Sequence, residues 1–315
     1  MTASRGIGAP PVPATQPMNI LSIDLEDWNQ LAYRRFTGEL PPATAHNLQR
    51  QVESLLAILR ETKTRATFFV LGRTAEDNPA MVKQIASAGH EIASHGYGHK
   101  LVHTLSHEQF AEDTKRSKQL LEDLTGRKVN GYRAAEFSIN RSCLWALEVL
   151  AELGLTYDSS IFPVRHRRYG ISDFYPSPAR YRLPNGQSIA ELPLATVSWL
   201  GTAWPLAGGG YFRLLPKFVL KAGMRRLSRQ QRSAVTYLHP CEFDPKRLEI
   251  FETIRPKDAI ALCRTAIFGF HQNLGRGSIP AKMRSMLSSF RFGTCAEFLE
   301  GAELSERREL LPAAR

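Results

Sequence analysis

Two rhythms of apolar residues alternate along this chain. Short unbroken apolar runs, which read as buried strands, occur at Asn19 to Asp24, at Ala66 to Leu71 (ATFFVL) and at 90–94 (HEIAS). Between the first two, Leu48, Val52, Leu55, Leu56 and Leu59 recur at the spacing of one helix face. The second run closes at Gly72, and a helix is predicted from Pro79, whose fixed φ suits a first turn, to Gly89. Ser106 and Gln109 stand at capping-box spacing and predict a helix that carries Phe110, Leu120, Leu121 and Leu124 inward until Gly126. Lys128 to Tyr132 then reads as a fourth strand, Asn140 as the cap of a helix through Leu153, and Leu155 to Asp158 as a fifth strand.

Five alternations without a linker predict an α/β fold with a parallel sheet or a (β/α) barrel, and such folds carry their functional residues at the C-terminal strand ends. After Ser160 a long segment from Phe162 to Leu183, rich in Pro, Arg and Tyr, breaks the rhythm; segments of that length usually carry function or cover something. Strands resume at Ser188 to Leu192 and at Ala234 to His239, and two helical stretches follow Pro256. A single domain is therefore expected over 18–298, with a helical extension from about 245. A disordered tail rich in Pro, Ala and Gly precedes it at 1–17, and a charged, frayed tail follows at 299–315.

The composition, 43% hydrophobic and 23% charged over 315 residues, supplies enough apolar material for a sizeable core. The chain lacks the apolar run of a secretory signal and any stretch of the roughly 20 apolar residues that would cross a bilayer, so a cytoplasmic protein is expected. Cys143, Cys241, Cys263 and Cys295 are scattered without a C-x-x-C pair, which argues for reduced thiols and against a zinc knuckle or disulfide framework. Forty-one basic against thirty acidic residues leave a charge of +11. Seven basic residues and no acidic ones lie between Arg213 and Arg232, interleaved at helical spacing with Leu214, Leu215, Phe218, Val219 and Leu227. This segment reads either as a helix with a solvated basic face or as one docking on anionic lipid headgroups at the inner face of a membrane. Nucleic acid is not expected as a partner.

Three segments at predicted strand ends carry chemistry: Asp24-Leu25-Glu26-Asp27, His95-Gly-Tyr-Gly-His99 and Leu238-His239-Pro240. Two imidazoles four residues apart can meet one metal ion, and a carboxylate from another strand would complete a three-ligand site with an open, catalytic position. The acidic segment on its own also suits a turn or a helix cap. His103 and His107 continue the four-residue spacing but follow the strand end, so they read as surface residues. Gly208-Gly209-Gly210 lacks the strand–turn–helix context of a phosphate-binding loop and is expected to be a mobile loop near the substrate. Trp199 and Trp204 suit either sugar stacking or the core.

In order and spacing these segments resemble the polysaccharide deacetylase family (NodB homology, family 4 carbohydrate esterases). Asp24 with Glu26 or Asp27 comes first, then His95 with His99, Arg133 in GYRAAEFS, Asp158 in YDSSIFP and His239 in YLHP, and the resemblance runs from about residue 19 to 292. The segments YDSSIFPVRHRRYGI, AGGGYFRLLP and SSFRF look like the branch associated with exosortase and exopolysaccharide gene clusters. The resemblance implies a distorted (β/α) barrel of about seven strands with one divalent metal at its mouth, Zn2+ before Co2+, Ni2+ or Mn2+. It implies Asp24 as general base oriented by Arg133, and His239 as general acid held by Asp158. His95, His99 and one of Glu26 or Asp27 would be the ligands; Glu26 is preferred because it shares a strand face with Asp24. Trp28, Tyr97, Phe137, Gly209 and Tyr211 are candidates for contacting the glycan.

The expected reaction is removal of N-acetyl groups from amino sugars of a polysaccharide or lipid-linked oligosaccharide, in exopolysaccharide biosynthesis. Two positions depart from the family pattern. Ala135-Glu136 replaces the usual proline two residues after Arg133, and Cys241 replaces an aromatic residue after Leu-His-Pro. Glu136 is expected to compete with Asp24 for Arg133. The rival readings are an allantoinase-like hydrolase of cyclic amides, a weakly active or non-catalytic glycan-binding relative, and an iron oxygenase with a facial triad. The carboxylate-first order speaks against the last.

Overall fold

The computed structural model describes residues 16–37, 47–166, 168–199, 201–206, 208–244 and 246–310. Most of the predicted N-terminal tail and the last five residues of the C-terminal one lie outside these. Strands β1 (Asn19–Leu25), β2 (Thr67–Val70), β3 (Glu91–Ser94), β4 (Gly131–Tyr132) and β5 (Tyr157–Asp158) follow the predicted order. Helices α1 (Trp28–Thr37), α2 (Asn47–Glu61), α3 (Gly72–Asp77), α4 (Pro79–Ser87), α5 (His107–Thr125) and α6 (Ala146–Glu152) separate them. The second half adds β6 (Ala179–Arg182), β7 (Ser188–Glu191), β8 (Thr196–Trp199), β9 (Thr202–Pro205) and β10 (Val235–Leu238). Around the last of these lie α7 (Gly209–Leu214), α8 (Lys217–Arg229), α9 (Ile250–Thr253), α10 (Ala259–Asn273) and α11 (Ile279–Leu287). The chain ends on β11 (Phe292–Gly293), α12 (Cys295–Gly301) and β12 (Ser305–Arg307).

The main sheet runs β10-β1-β2-β3-β4-β5-β7-β6-β12. All neighbours from β10 to β7 pair in parallel, seven strands in a row, and only β6 turns back antiparallel to β7. β1 is buried along its whole length between β10 and β2, which is why it reads as a continuous apolar run. The barrel is not a closed ring of paired strands. Its gap is bridged where the chain leaving β7 crosses to β10: Ala195 N–H donates to Val235 O at 3.0 Å, and Gly208 bridges Tyr237. The result is a curled, mostly parallel half-barrel. Among the described residues no helix is long and apolar enough to cross a membrane.

Several elements differ from the sequence reading. Gly72 closes the β2 segment as read but also opens α3, a helix not expected there, and a side chain at this position would collide with Tyr97, whose Cδ2 lies 2.5 Å from the position of a Cβ. Asn140 caps a single 3-10 turn, Arg141–Cys143, and α6 begins only at Ala146. The triple glycine is no loose loop: Gly208 sits against the β10 backbone, where a Cβ would lie 1.9 Å from Tyr237 O, and Gly209 starts α7. Trp199 and Trp204 are exposed on the β8–β9 hairpin, not in the core. The C-terminal tail does not fray throughout. Ser305–Arg307 adds to the open edge of β6, with the Arg307 guanidinium 3.4 Å over the Tyr175 ring. Beside the main core, a second cluster of Trp28, Ala32, Cys241, Leu248, Ile250, Ile254 and Phe268 packs α1 against α9 and α10.

Candidate active site

Parallel strands deliver their C-terminal ends to one side of the sheet, and the chain places chemistry at five of them. Asp24 and Glu26 lie at the end of β1, His95 follows β3, Arg133 follows β4, Asp158 ends β5 and His239 follows β10. Asp24, Glu26, His95 and His239 line one cavity of about 240 Å³.

Glu26, His95 and His99 converge, with ligand-type atoms all within 4.8 Å of one another. All three are buried. The His95 ring is oriented from behind: its Nδ1 lies 2.8 Å from Arg133 O, and because a carbonyl only accepts, this nitrogen carries the proton and leaves the Nε2 lone pair facing the cluster. Burial lowers the His95 pKa although Asp24 and Glu26 pull it up, so the ring is neutral at pH 7. His99 holds a left-handed backbone (φ 52), costly for a non-glycine residue and tolerated where the surroundings enforce it. The enforcement comes from Asp113 on α5, a residue the sequence reading missed. Its carboxylate accepts from Tyr97 N–H at 2.7 Å and Gly98 N–H at 3.2 Å, tying the loop between the two histidines.

Two atoms here test whether a cation fits. Glu26 Oε2 lies 2.5 Å from His99 Nε2, yet neither it nor His99 Nδ1 has a hydrogen-bond partner among the described residues. Burial works to raise the Glu26 pKa, but His99 and His239 outweigh it and hold the carboxyl well below the usual range. One buried carboxylate and two buried imidazoles with ligand-type atoms this close together are a donor set that suits a divalent transition metal. Asp27 does not join it. Its carboxylate turns back to accept from Asn29 N–H at 3.1 Å at the start of α1, so this alternative ligand is corrected to a helix cap.

Asp24 is held by Arg133, whose Nη1 donates to Asp24 Oδ1 at 2.8 Å and to Ser22 Oγ at 2.7 Å. The rest of the fully buried guanidinium donates to Ser159 O and Ser159 Oγ and lies 4.1 Å over the Phe69 ring. Glu136 does not compete for this arginine, contrary to the expectation from its spacing. It turns away, in a left-handed conformation (φ 49), and pairs with Arg34 and, at 3.4 Å, with Arg168.

On the opposite wall His239 faces Glu26 at 3.4 Å and Glu242 at 3.6 Å. Burial lowers its pKa, but the two carboxylates prevail and push it up to about 10. The carboxylate beside the ring is Glu242, not Asp158. Asp158 accepts from Ser160 N–H at 3.0 Å and Ser160 Oγ–H at 2.6 Å and shares its remaining space with Glu191. Burial and the neighbouring Asp158 push the Glu191 pKa well above its usual value. The pairing inferred for Asp158 is thereby corrected: its oxygens are used inside β5 and its turn. Glu242 was legible only as the acidic residue three places after His239.

Of the candidate sugar contacts, Trp28, Phe137 and Gly209 line the cavity, and Trp28 Nε1 is buried with no partner among the described residues. Tyr97 does not: its hydroxyl donates to Glu76 at 2.5 Å and its ring lies 3.5 Å under Arg116, outside the cavity. Tyr211 stands on α7 but is not among the lining residues. His103 and His107 are exposed, as read, with His107 stacked on Trp145.

Comparison with known proteins agrees with this arrangement. The model of the polysaccharide deacetylase family matches residues 44–157, and that of a domain of unknown function, DUF3473, matches 159–300. A peptidoglycan deacetylase of Helicobacter pylori is 32% identical over 112 residues, 35% of this chain and 36% of that protein. A peptidoglycan-N-acetylglucosamine deacetylase of Bacillus cereus is 37% identical over 68 residues, 22% of this chain and 32% of that one. The matches thus span about a third of the length of these relatives. A crystal structure from Mycobacterium smegmatis, named by inference as a polysaccharide deacetylase, superposes with a TM-score of 0.58 at 23% identity, covering 96% of this chain and 98% of that one, which establishes the shared fold. The chain thus carries a polysaccharide deacetylase domain (NodB homology, family 4 carbohydrate esterases) over residues 44–157 and a DUF3473 domain over 159–300.

Proposed function

We propose that the protein hydrolyses N-acetyl groups from amino sugars of a polysaccharide or a lipid-linked oligosaccharide, with one divalent metal, Zn2+ first among the candidates. The observation that carries this reading is a buried Glu26–His95–His99 cluster flanked in one cavity by the Asp24 carboxylate and by the His239 imidazole, which lies beside Glu26 and Glu242. An amide is a weak electrophile with a poor leaving group. A cation on Glu26, His95 and His99 would polarise the carbonyl and acidify a water. Asp24, pinned and charge-compensated by Arg133, takes the proton of the attacking water. His239, charged beside Glu242, gives its proton to the departing nitrogen as the C–N bond breaks, leaving acetate and a free amine. Trp28 Nε1, buried without a partner among the described residues in the cavity wall, would donate to the sugar.

The test is acetate release from N-acetylated oligosaccharides by the metal-loaded chain, with metal content measured alongside. Absence of acetate from every such substrate, with metal bound, rejects the reading. Ring opening of allantoin in place of acetate release would favour the cyclic-amide alternative.

A role in exopolysaccharide synthesis at the cytoplasmic face of a membrane is part of the same proposal. All four cysteines are free thiols, which fits a reducing compartment. α8 buries Leu220, Met224 and Leu227 and carries Lys217, Lys221, Arg225, Arg226 and Arg229 on its other positions, beside exposed Leu214 and Phe218. Basic side chains around exposed apolar ones complement an anionic bilayer. Sedimentation with phosphatidylglycerol vesicles but not phosphatidylcholine vesicles, lost in Phe218→Ser, is expected; equal behaviour on both rejects this part.

A further inference from the structure

The mouth of the cavity carries arginines that the deacetylation chemistry leaves unused. Arg35 and Arg168 line it, and Arg34 stands next to Arg35 on α1. Glu136 bonds Arg34 and lies 3.4 Å from Arg168. It does so from a strained backbone: Glu136 and Phe137 are both left-handed, at φ 49 and φ 55. Non-glycine residues persist in that region where their surroundings over-determine them, and they cluster at ligand clamps. One carboxylate thus organises two guanidinium groups.

Arg35 is different. Its guanidinium lies 5.4 Å from the Phe268 ring centroid, and among the described residues no carboxylate lies within ion-pair distance of it. Partial burial first, and then the neighbouring Arg168, Arg34 and Arg264, lower its pKa from the usual arginine value. Crowding like charges at a concave surface costs stability unless an opposite charge joins them, and it raises the local concentration of anions. Guanidinium forks match carboxylate and phosphate oxygens in bidentate geometry.

We propose that this mouth binds an anionic group, a carboxylate or a phosphate, carried by the glycan next to the N-acetylated sugar. Arg35 and Arg168 are the anion contacts, and Glu136 is a positioning residue that holds Arg34 and Arg168 in place. The departure of this chain from its family pattern at Ala135-Glu136 then serves substrate choice and leaves Arg133 to Asp24. The inference rests on the deacetylase reading for what fills the inner cavity, and the experiment separates the two.

Calorimetry on the metal-loaded Asp24→Asn chain reads affinity independently of turnover. The probes are N-acetylchitotetraose, which is neutral, a hyaluronan tetrasaccharide, which adds carboxylates, and UDP-N-acetylglucosamine, which adds a diphosphate. At least one charged probe should bind about tenfold or more tighter than the neutral one, and the stronger of the two identifies the source of the charge. The preference should shrink with added salt. Arg35→Gln with Arg168→Gln should remove most of it, Arg35→Lys should keep much of it, and Glu136→Ala should weaken it while Glu136→Asp restores part. Equal affinity for neutral and charged probes, or a preference that survives the double arginine substitution, overturns the proposal. Should the native chain release no acetate from any probe while the arginine-dependent preference persists, the deacetylase reading fails and the anion site stands. Acetate release without any charge preference overturns the anion site and leaves the deacetylase reading in place.

Discussion

In the proposed mechanism Asp24 is the general base. Asp24→Asn keeps the shape and the Arg133 contact but cannot take a proton, so turnover should fall by roughly 10²–10⁴-fold with metal content unchanged. Turnover equal to the parent would remove Asp24 from the role of base. The carboxylates beside His239 raise its pKa, and a cation on Glu26 would consume that residue's share while Glu242 kept its own. A raised pKa keeps the acid protonated at neutral pH and loses it as pH climbs through the raised value. Removing the Glu242 charge lowers that value, so the alkaline limb of the catalytic rate should move to lower pH in Glu242→Gln. Asp158→Asn should leave the limb in place, because that side chain serves Ser160 and Glu191. A limb that moves with Asp158 and not with Glu242 would reverse the assignment. Sequence named His239 and Asp24 correctly as strand-end residues of the cavity, but their neighbours are chosen by side-chain direction, which spacing does not report.

At the scale of elements, a five-residue loop after β3 carries both histidines, and its shape is imposed by α5 through Asp113. Asp113→Ala should therefore weaken metal binding by about 10–100-fold without touching a ligand, as measured by competition with a chelator. His95→Ala with His99→Ala should abolish binding altogether, and unchanged metal content in that double variant would sink the site. β1 and β2 were legible because each is a short, largely apolar run buried along its whole length, whereas β6, β8 and β9, with exposed positions, were not read as strands. β4 and β5 pair over only two residues each, so their predicted lengths were too generous: apolar character marks what is buried, not what is laddered. α3 escaped notice because six residues are too few to establish a helical period. The capping box of Ser106 and Gln109 was readable because both of its bonds are local.

Over the whole molecule, the sheet is left with an edge at β6 that the C-terminal β12 covers. Truncation after Gly301 should expose that edge and the Tyr175 ring, lowering the melting temperature by about 2–4 °C for each kcal/mol lost and promoting self-association. An unchanged melting temperature and a monomeric truncated chain would show that β12 contributes nothing. The sequence alone determined the alternation of strands and helices, the burial of β1 and the placement of acidic, imidazole and guanidinium groups at strand ends, since each follows from local periodicity and from the direction of parallel strands. It also carried the family resemblance, because order along the chain survives folding. The tertiary structure alone decided that the sheet curls without closing its ring of strands, that Glu26 and not Asp27 faces the histidines, that Glu242 and not Asp158 faces His239, and that Glu136 serves Arg34 and Arg168. Those choices depend on the curl of the sheet and on which way side chains from strands far apart in sequence are turned, and neither quantity is written in the spacing of residues along one chain.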